Sequence, residues 1–219
     1  MGGSRIRVQG HRGARGVRPE NTLAAFVYAM NAGADAVELD LTLTRDGALV
    51  VSHDPVAADS AALRLPSLDD VFRLVAPSAI ELNLEVKIHP KTDPPAITRL
   101  VLESVDRHGM RDRVMVESFD FRVLHAMRAL APEIRRGALT EDDPRSFPEI
   151  AGDAADPTFI APHFSLVTGE KVLAAHAAGL DVVAWTVNLP DDWTRVSEAQ
   201  VDAIITDDPA ALIRWLRGV

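Results

Sequence analysis

Apolar and polar positions alternate without a break along Val37-Glu38-Leu39-Asp40-Leu41-Thr42-Leu43, and again along Ile80-Glu81-Leu82-Asn83-Leu84-Glu85-Val86-Lys87. A period of two is that of a β-strand, whose successive side chains point to opposite faces. Glu38 and Asp40 therefore share one face of the first run, and Glu85 and Lys87 one face of the second. Strands are predicted over Arg5–Gly10, Ala36–Leu43, Ile80–Lys87, Val114–Ser118, Ile134–Leu139, Phe159–Pro162, Val182–Val187 and Ala203–Thr206. A short extra strand, Ala48–Ser52, follows the tight turn Arg45-Asp46-Gly47.

Helices are predicted between them: Glu20–Ala32, Leu68–Val75, Pro95–His108, Phe121–Ala131, a weak one near Ser146–Ala151, Thr168–Ala178, Asp191–Glu198 and Ala210–Leu216. Ser67 before Leu68 and Asp120 before Phe121 are helix-start signals. Strand–helix alternation from end to end of 219 residues predicts an α/β protein, a (β/α)₈ barrel forming a single domain over 1–219. An open, doubly wound sheet is the rival. It would favour a Gly-rich phosphate loop after the first strand, which Gly10-His11-Arg12-Gly13 is not. In a barrel, inward residues at the C-terminal strand ends carry the chemistry. His11, Glu38, Asp40, Glu85, Lys87, Ser118 and Trp185 all fall there.

Composition narrows the function. At 47% hydrophobic residues the chain can bury a full core, and its net charge of −9 disfavours nucleic acid and anionic membranes as partners. The absence of cysteine excludes disulfides, thiolate metal sites and cysteine nucleophiles. No apolar run approaches the ~20 residues that span a bilayer, so no stable membrane insertion is expected. Met1–Arg5 lacks the apolar run of a signal peptide, and a cytoplasmic protein is expected. An anionic substrate would need a local remedy for the global negative field, such as a divalent cation with placed Arg or Lys.

If the two alternating strands are neighbours, Glu38, Asp40 and Glu85 converge, which is costly unless a cation lies between them. One such acid alone would read as an exposed edge residue; two on one face of an apolar strand, with a third in a matching strand, favour a metal. Donors that are all oxygen suit one hard divalent cation, Mg²⁺ or Ca²⁺. His11 and His53 each follow a strand and can serve as an acid–base pair, since an unperturbed imidazole titrates near ~6.5. Arg12 and Lys87 are the nearest cations, fit for phosphate oxygens or for ion pairs with the same acids. Pro19-Glu20-Asn21-Thr22 reads locally as a helix start, with capping as the favoured role. His163 ends a strand and can line the rim; His89, His108, His125 and His176 read as surface or helix-end residues.

Taken together, His11-Arg12-Gly13, Pro19-Glu20-Asn21-Thr22, Glu38-Leu39-Asp40, Thr44-Arg45-Asp46-Gly47, His53-Asp54 and Glu85-Val86-Lys87 resemble the glycerophosphodiester phosphodiesterase family. Weaker matches are Ser118-Phe119, Trp185-Thr186-Val187-Asn188 and Ile205-Thr206-Asp207; 131–161 matches only in general character. The resemblance implies a (β/α)₈ TIM barrel and metal-dependent hydrolysis of glycerophosphodiesters to sn-glycerol 3-phosphate and an alcohol. It implies Glu38, Asp40 and Glu85 as metal ligands, His11 and His53 as acid and base, and Arg12 and Lys87 as phosphate contacts. Trp185 would wall the substrate's organic group, and Glu20 would orient the first-loop histidine and arginine. The chain departs from the family between His53 and Pro66. Only Asp54–Leu65 lie there, so the family's usual small cap insertion is expected to be missing after the second strand. A more open site would admit bulkier lipid phosphodiesters, in the manner of a lysophospholipase D or a cyclising phospholipase. A non-catalytic phosphate-ligand binder is a remote third reading.

Overall fold

The computed structural model describes residues 5–56 and 65–219. The strands are β1 (Arg7–Gly10), β2 (Ala36–Leu43), β3 (Leu49–Val51), β4 (Glu81–Val86), β5 (Val114–Ser118), β6 (Arg135–Thr140), β7 (Phe159–Pro162), β8 (Asp181–Ala184) and β9 (Ala203–Thr206). The helices are α1 (Leu23–Ala32), α2 (Leu68–Val75), α3 (Pro94–Arg107), α4 (Phe121–Leu130), α5 (Phe147–Gly152), α6 (Gly169–Ala177), α7 (Pro190–Glu198) and α8 (Pro209–Arg217). Parallel pairing runs β1-β9-β8-β7-β6-β5-β4-β2, and β1 pairs with β2 to close the ring; β3 is an antiparallel addition to β2. This is the expected (β/α)₈ barrel.

The period-two pattern explains how the wall divides. Val37, Leu39 and Leu41 of β2 and Leu82, Leu84 and Val86 of β4 pack outward against Phe26, Phe72, Ile97 and Val101 of the helices. A second outer cluster, with Phe147, Ile160, Val172, Trp193 and Leu212, completes the ring. The barrel interior is filled lower down by Met115, Phe159, Ala161, Val183, Ala203 and Ile205. The polar residues of β2 and β4 point into the upper interior. Register sets Asp40 beside Glu85, and Glu85 beside Glu117, on successive strands. Neighbouring strands are ~4.8 Å apart, so these side chains have no choice but to meet.

Helix starts follow the predicted caps: Ser67 and Asp70 form a capping box on α2, and Asp120 caps α4. Most boundaries shift by one or two residues, and two move by three. The first helix begins at Leu23 rather than Glu20, because Thr22 is the cap and Asn21 adopts a left-handed φ of 56°. The strand expected to reach Val187 stops at Ala184; beyond it Trp185 keeps only a single bridge to His163. Residues 57–64, within the segment read as too short for a cap, lie outside the described residues. Among the described residues no helix is long and apolar enough to cross a membrane.

Interior packing makes one stability prediction. A Cβ added at Gly137 would lie 2.0 Å from the Phe159 ring, so Gly137→Ala should cost roughly 1–3 kcal/mol by overpacking. Thermal unfolding should show a midpoint lower by a few degrees, and Phe159→Leu in the same chain should recover part of the loss.

Candidate active site

The β1–α1 loop is folded so tightly that a side chain on Gly10 would fall 1.9 Å from the Gly13 carbonyl. Arg12 takes a left-handed φ of 47° within it. That turn aims the Arg12 backbone N–H at Glu38 Oε2 (2.7 Å), while its guanidinium lies 3.1 Å from Asp40 Oδ2 and donates to Glu20 Oε1 at 2.9 Å. Glu20 is thus no cap: it reaches Arg12, as the resemblance implied. The expected contact of Glu20 with His11 is taken instead by Asp207, whose Oδ1 lies 2.6 Å from His11 Nδ1. Asp207 is itself held by Asn188 Nδ2 at 2.9 Å. With Nδ1 committed to a carboxylate, Nε2 is the free nitrogen of the ring, and it stands 4.0 Å from Glu38 Oε2.

Glu38, Asp40 and Glu85 come together as expected: each offers an oxygen within 4.8 Å of the others'. Asp40 is fully buried and accepts from Asn21 Nδ2 at 2.8 Å, with Lys87 Nζ at 3.1 Å on its other oxygen. Lys87 also donates to Glu85 at 2.5 Å. Burial works to raise the Asp40 pKa, but Lys87 and Arg12 outweigh it and hold the group below its ordinary range. Glu38 has no such cation of its own. Its burial, then the charges of Asp40, Glu85 and Glu117, push it well above the ordinary range. Burial likewise lifts Glu85 to about 7, against the pull of Lys87.

A fourth acid went unread in the sequence. Glu117 on β5 is buried, raised to about 8 by that burial and then by Glu85, and lines the same cavity. The signal was available in the strand period: on the predicted strand Val114–Ser118 Glu117 shares a face with Met115, opposite Val114 and Val116, which puts it on the inner face beside Glu85. Four buried carboxylates therefore face two cations, Arg12 and Lys87, an imbalance that one divalent cation would cancel. The donor set also fits such an ion. It is all oxygen, and Glu38 Oε1 is buried with no hydrogen-bond partner among the described residues, an arrangement that is costly without a ligand.

His53, on the far side of a cavity of about 220 Å³, shares its lining with His11, Glu38, Glu85 and Lys87. Its Nδ1 lies 2.8 Å from Asp54 Oδ1, so His53 also presents Nε2. Trp185 closes another side, its indole N–H donating to the Ala161 carbonyl at 2.7 Å. Ser118 reaches the rim but does not line the cavity; its hydroxyl donates to the Val86 carbonyl at 2.7 Å. His163 stands on the rim against Trp185, ring centres 5.2 Å apart. His125 and His176 hydrogen-bond to the Asp153 carbonyl and the Asp202 carboxylate, and His108 Nε2 lies 3.3 Å from Asp69, all apart from the site.

The raised acids carry a prediction for protein stripped of metal. Glu85 and Glu117 hold their protons to about 7 and 8 when folded, whereas an unfolded Glu loses its proton near ~4.3. Between those values the folded state binds the more protons, so stability falls as pH rises toward the folded values and levels off once both are passed. His11, lowered by burial against the pull of Asp207, acts with opposite sign but only below its unfolded value of ~6.5. In chelator, stability should therefore drop by on the order of a few kcal/mol between about pH 6.5 and 8.5. Denaturant midpoints measure this, and added Mg²⁺ or Ca²⁺ should flatten the slope.

Comparison with known proteins agrees with this geometry. Residues 11–60 and 55–211 match the profile of the glycerophosphoryl diester phosphodiesterase family, in two overlapping stretches. A glycerophosphodiester phosphodiesterase from Caldanaerobacter subterraneus subsp. tengcongensis is 30% identical, the alignment covering 94% of this chain and 96% of that one. A Silicibacter pomeroyi protein, provisionally named a glycerophosphoryl diester phosphodiesterase, superposes with a TM-score of 0.92 at 30% identity, over 98% of this chain and 94% of that one. An Oleispira antarctica phosphodiesterase, solved with the product sn-glycerol-3-phosphate, has a TM-score of 0.89 at 25% identity over 97% of each chain. A closed parallel barrel, an acidic triad at its C-terminal rim and this run of matches lead to one assignment: the chain belongs to the glycerophosphoryl diester phosphodiesterase family of phosphoric diester hydrolases.

Proposed function

We propose that the protein hydrolyses glycerophosphodiesters to sn-glycerol 3-phosphate and an alcohol, with a hard divalent cation, Mg²⁺ or Ca²⁺, held by Glu38, Asp40 and Glu85. The observation that carries this reading is the single cavity onto which His11, His53, Glu38, Glu85 and Lys87 all open. A proton donor, a proton acceptor and a charge-neutralising floor around one small space are what cleavage of a phosphodiester requires. The product captured by the Oleispira antarctica relative supports glycerol phosphate as the retained half.

A bound cation would supply charge neutralisation at the phosphoryl oxygens and fix the diester's orientation. The rest falls to the chain's own groups. Arg12 and Lys87 share their N–H donors between the acids and the phosphoryl group. The two imidazoles each present Nε2: one removes the proton of the attacking hydroxyl, and the other returns a proton to the departing alcohol. Asp207 keeps the His11 ring in the tautomer that this needs. At about 220 Å³, the cavity is smaller than the ~300–1,000 Å³ of typical ligand pockets. It suits a phosphate with one small substituent inside and the alcohol at the mouth, which favours soluble diesters over lysophospholipids.

A panel from glycerophosphocholine to lysophosphatidylcholine, followed by ³¹P NMR with Mg²⁺, Ca²⁺ or chelator, tests the proposal. The expected outcome is a glycerol phosphate signal with either ion and none in chelator. Turnover that survives chelation would sink the metal role. A persistent cyclic phosphate, or faster release from the lysolipid, would replace the reading by a cyclising phospholipase or a lysophospholipase D.

A further inference from the structure

The Arg and Lys side chains that line the cavity, Arg12, Arg15 and Lys87, are not equally committed. Arg12 is held by Glu20 and Asp40, and Lys87 by Asp40 and Glu85, all at 3.1 Å or less. Arg15 comes that close to no carboxylate: its Nε stands 3.7 Å from Glu20 Oε2 and 4.0 Å from Asp207 Oδ1. Neither distance is a hydrogen bond. Among the described residues the Arg15 guanidinium has no hydrogen-bond partner, and 43% of the side chain is exposed.

The backbone fixes where this group stands. The Arg15 N–H donates to the His11 carbonyl at 3.2 Å, one turn of helix, so the two side chains share a face. The next N–H, of Gly16, donates to the Asp207 carbonyl at 3.0 Å, and a Cβ at Gly16 would stand 3.2 Å from that of Asp207. Arg15 is thereby pinned beside the His11–Asp207 pair.

The geometry points to Arg15 as a further phosphate-binding residue, whose donor fork meets the phosphoryl oxygens uncommitted. The inference rests on the proposed hydrolysis and adds a contact to it. In that reaction His11 exchanges a proton with an oxygen bonded to phosphorus, so a cation on the same face as His11 has the phosphoryl group beside it. Paired guanidinium N–H donors match two oxygens of one phosphate. The cavity has buried acids at Glu38, Asp40, Glu85 and Glu117, in a chain of net charge −9. An anion entering it needs a cation that is not already neutralised. As a mere surface ion pair, at these distances, Arg15 would contribute little.

Calorimetric titration of the Mg²⁺-loaded protein with sn-glycerol 3-phosphate reads the contact without turnover. Arg15→Gln should raise Kd by about tenfold, the weight of one charge-assisted contact. Arg15→Lys should raise it less, since the ammonium keeps the charge and loses the fork. Arg18→Gln is the control: its guanidinium lies over the Tyr28 ring, 5.1 Å from the centre, and Kd should stay within about twofold. On glycerophosphocholine, Arg15→Gln should raise KM severalfold with kcat within about threefold of wild type. An unchanged Kd in Arg15→Gln, or a rise as large in Arg18→Gln, would overturn the contact. So would a fall in kcat with Kd unmoved, which would make Arg15 a positioning residue acting through Asp207. Failure to cleave any diester, with the Arg15-dependent Kd intact, overturns the hydrolysis and leaves the phosphate contact standing.

Discussion

Alanine at His11 or at His53 should lower kcat by ~10²–10⁴, the range that positioned acid–base groups contribute, while leaving the fold in place. The two substitutions differ in what they leave behind. His11 is nearly enclosed, and its loss strands Asp207, which then keeps only Asn188 and Arg15 nearby. His53 sits at the mouth with Asp54 as its one side-chain partner among the described residues, so its loss should change stability by no more than ~0.5 kcal/mol. Initial rates on glycerophosphocholine, beside thermal unfolding of the same samples, separate chemistry from folding. Asp207→Asn is the companion variant: it keeps the shape but can present the wrong hydrogen-bonding sense to Nδ1. It should lower kcat in the direction of His11→Ala with KM little changed. Turnover within tenfold of wild type in either alanine variant would remove that histidine from the reaction.

Much of this arrangement was legible in the sequence because a buried parallel strand writes its two faces as alternate letters. Glu38, Asp40 and Glu85 were readable for that reason alone, and the register of β2 on β4 followed from placing them together. The same rule applied to β5 reveals Glu117, which escaped notice because a single acid in a short strand has a bland explanation. Other relations were beyond the reach of local pattern. Nothing near His11 announces that its partner is Asp207, some 196 residues away in the chain, since closure of a barrel brings first and last strands together without any local mark. The segment at Glu20 shows the opposite failure. Pro19-Glu20-Asn21-Thr22 has the letters of a helix start, and Thr22 does cap α1, yet Asn21 and Glu20 are spent on Asp40 and Arg12. Tertiary demand overrode the local reading there. At Trp185 the apolar run continued past the point where the ladder ends, because the tryptophan is needed on the cavity wall rather than in a strand pair.

The largest effect of opposite sign on activity and stability is expected at Glu38. Glu38→Gln keeps the backbone turn nearly isosteric, yet the amide offers a weaker, neutral oxygen where the carboxylate would grip the ion. Cation affinity should fall by more than ~10²-fold, beyond the 10–100-fold typical of changes outside the ligand set, and turnover at moderate Mg²⁺ or Ca²⁺ should fall with it. Stability in chelator should move the other way. Glu38 is buried among Asp40, Glu85 and Glu117, and its pKa is driven up by their company, so removing its charge relieves repulsion that no nearby cation of its own offsets. Without metal the variant should unfold at a higher temperature than wild type, by a margin that grows as pH rises above the ordinary carboxylate range, and with metal present at a similar or lower one. Asp40→Asn should behave differently, because Asp40 is the anchor of both Arg12 and Lys87. Its loss leaves two buried cations underpaired and should destabilise the protein with or without the ion, by up to ~3–5 kcal/mol. Unfolding midpoints of the three proteins, with chelator and with saturating cation, give four comparisons with wild type, and only Glu38→Gln in chelator should lie above it. A cation-induced rise in midpoint as large in Glu38→Gln as in wild type would mean that the ion, if bound at all, is held somewhere else.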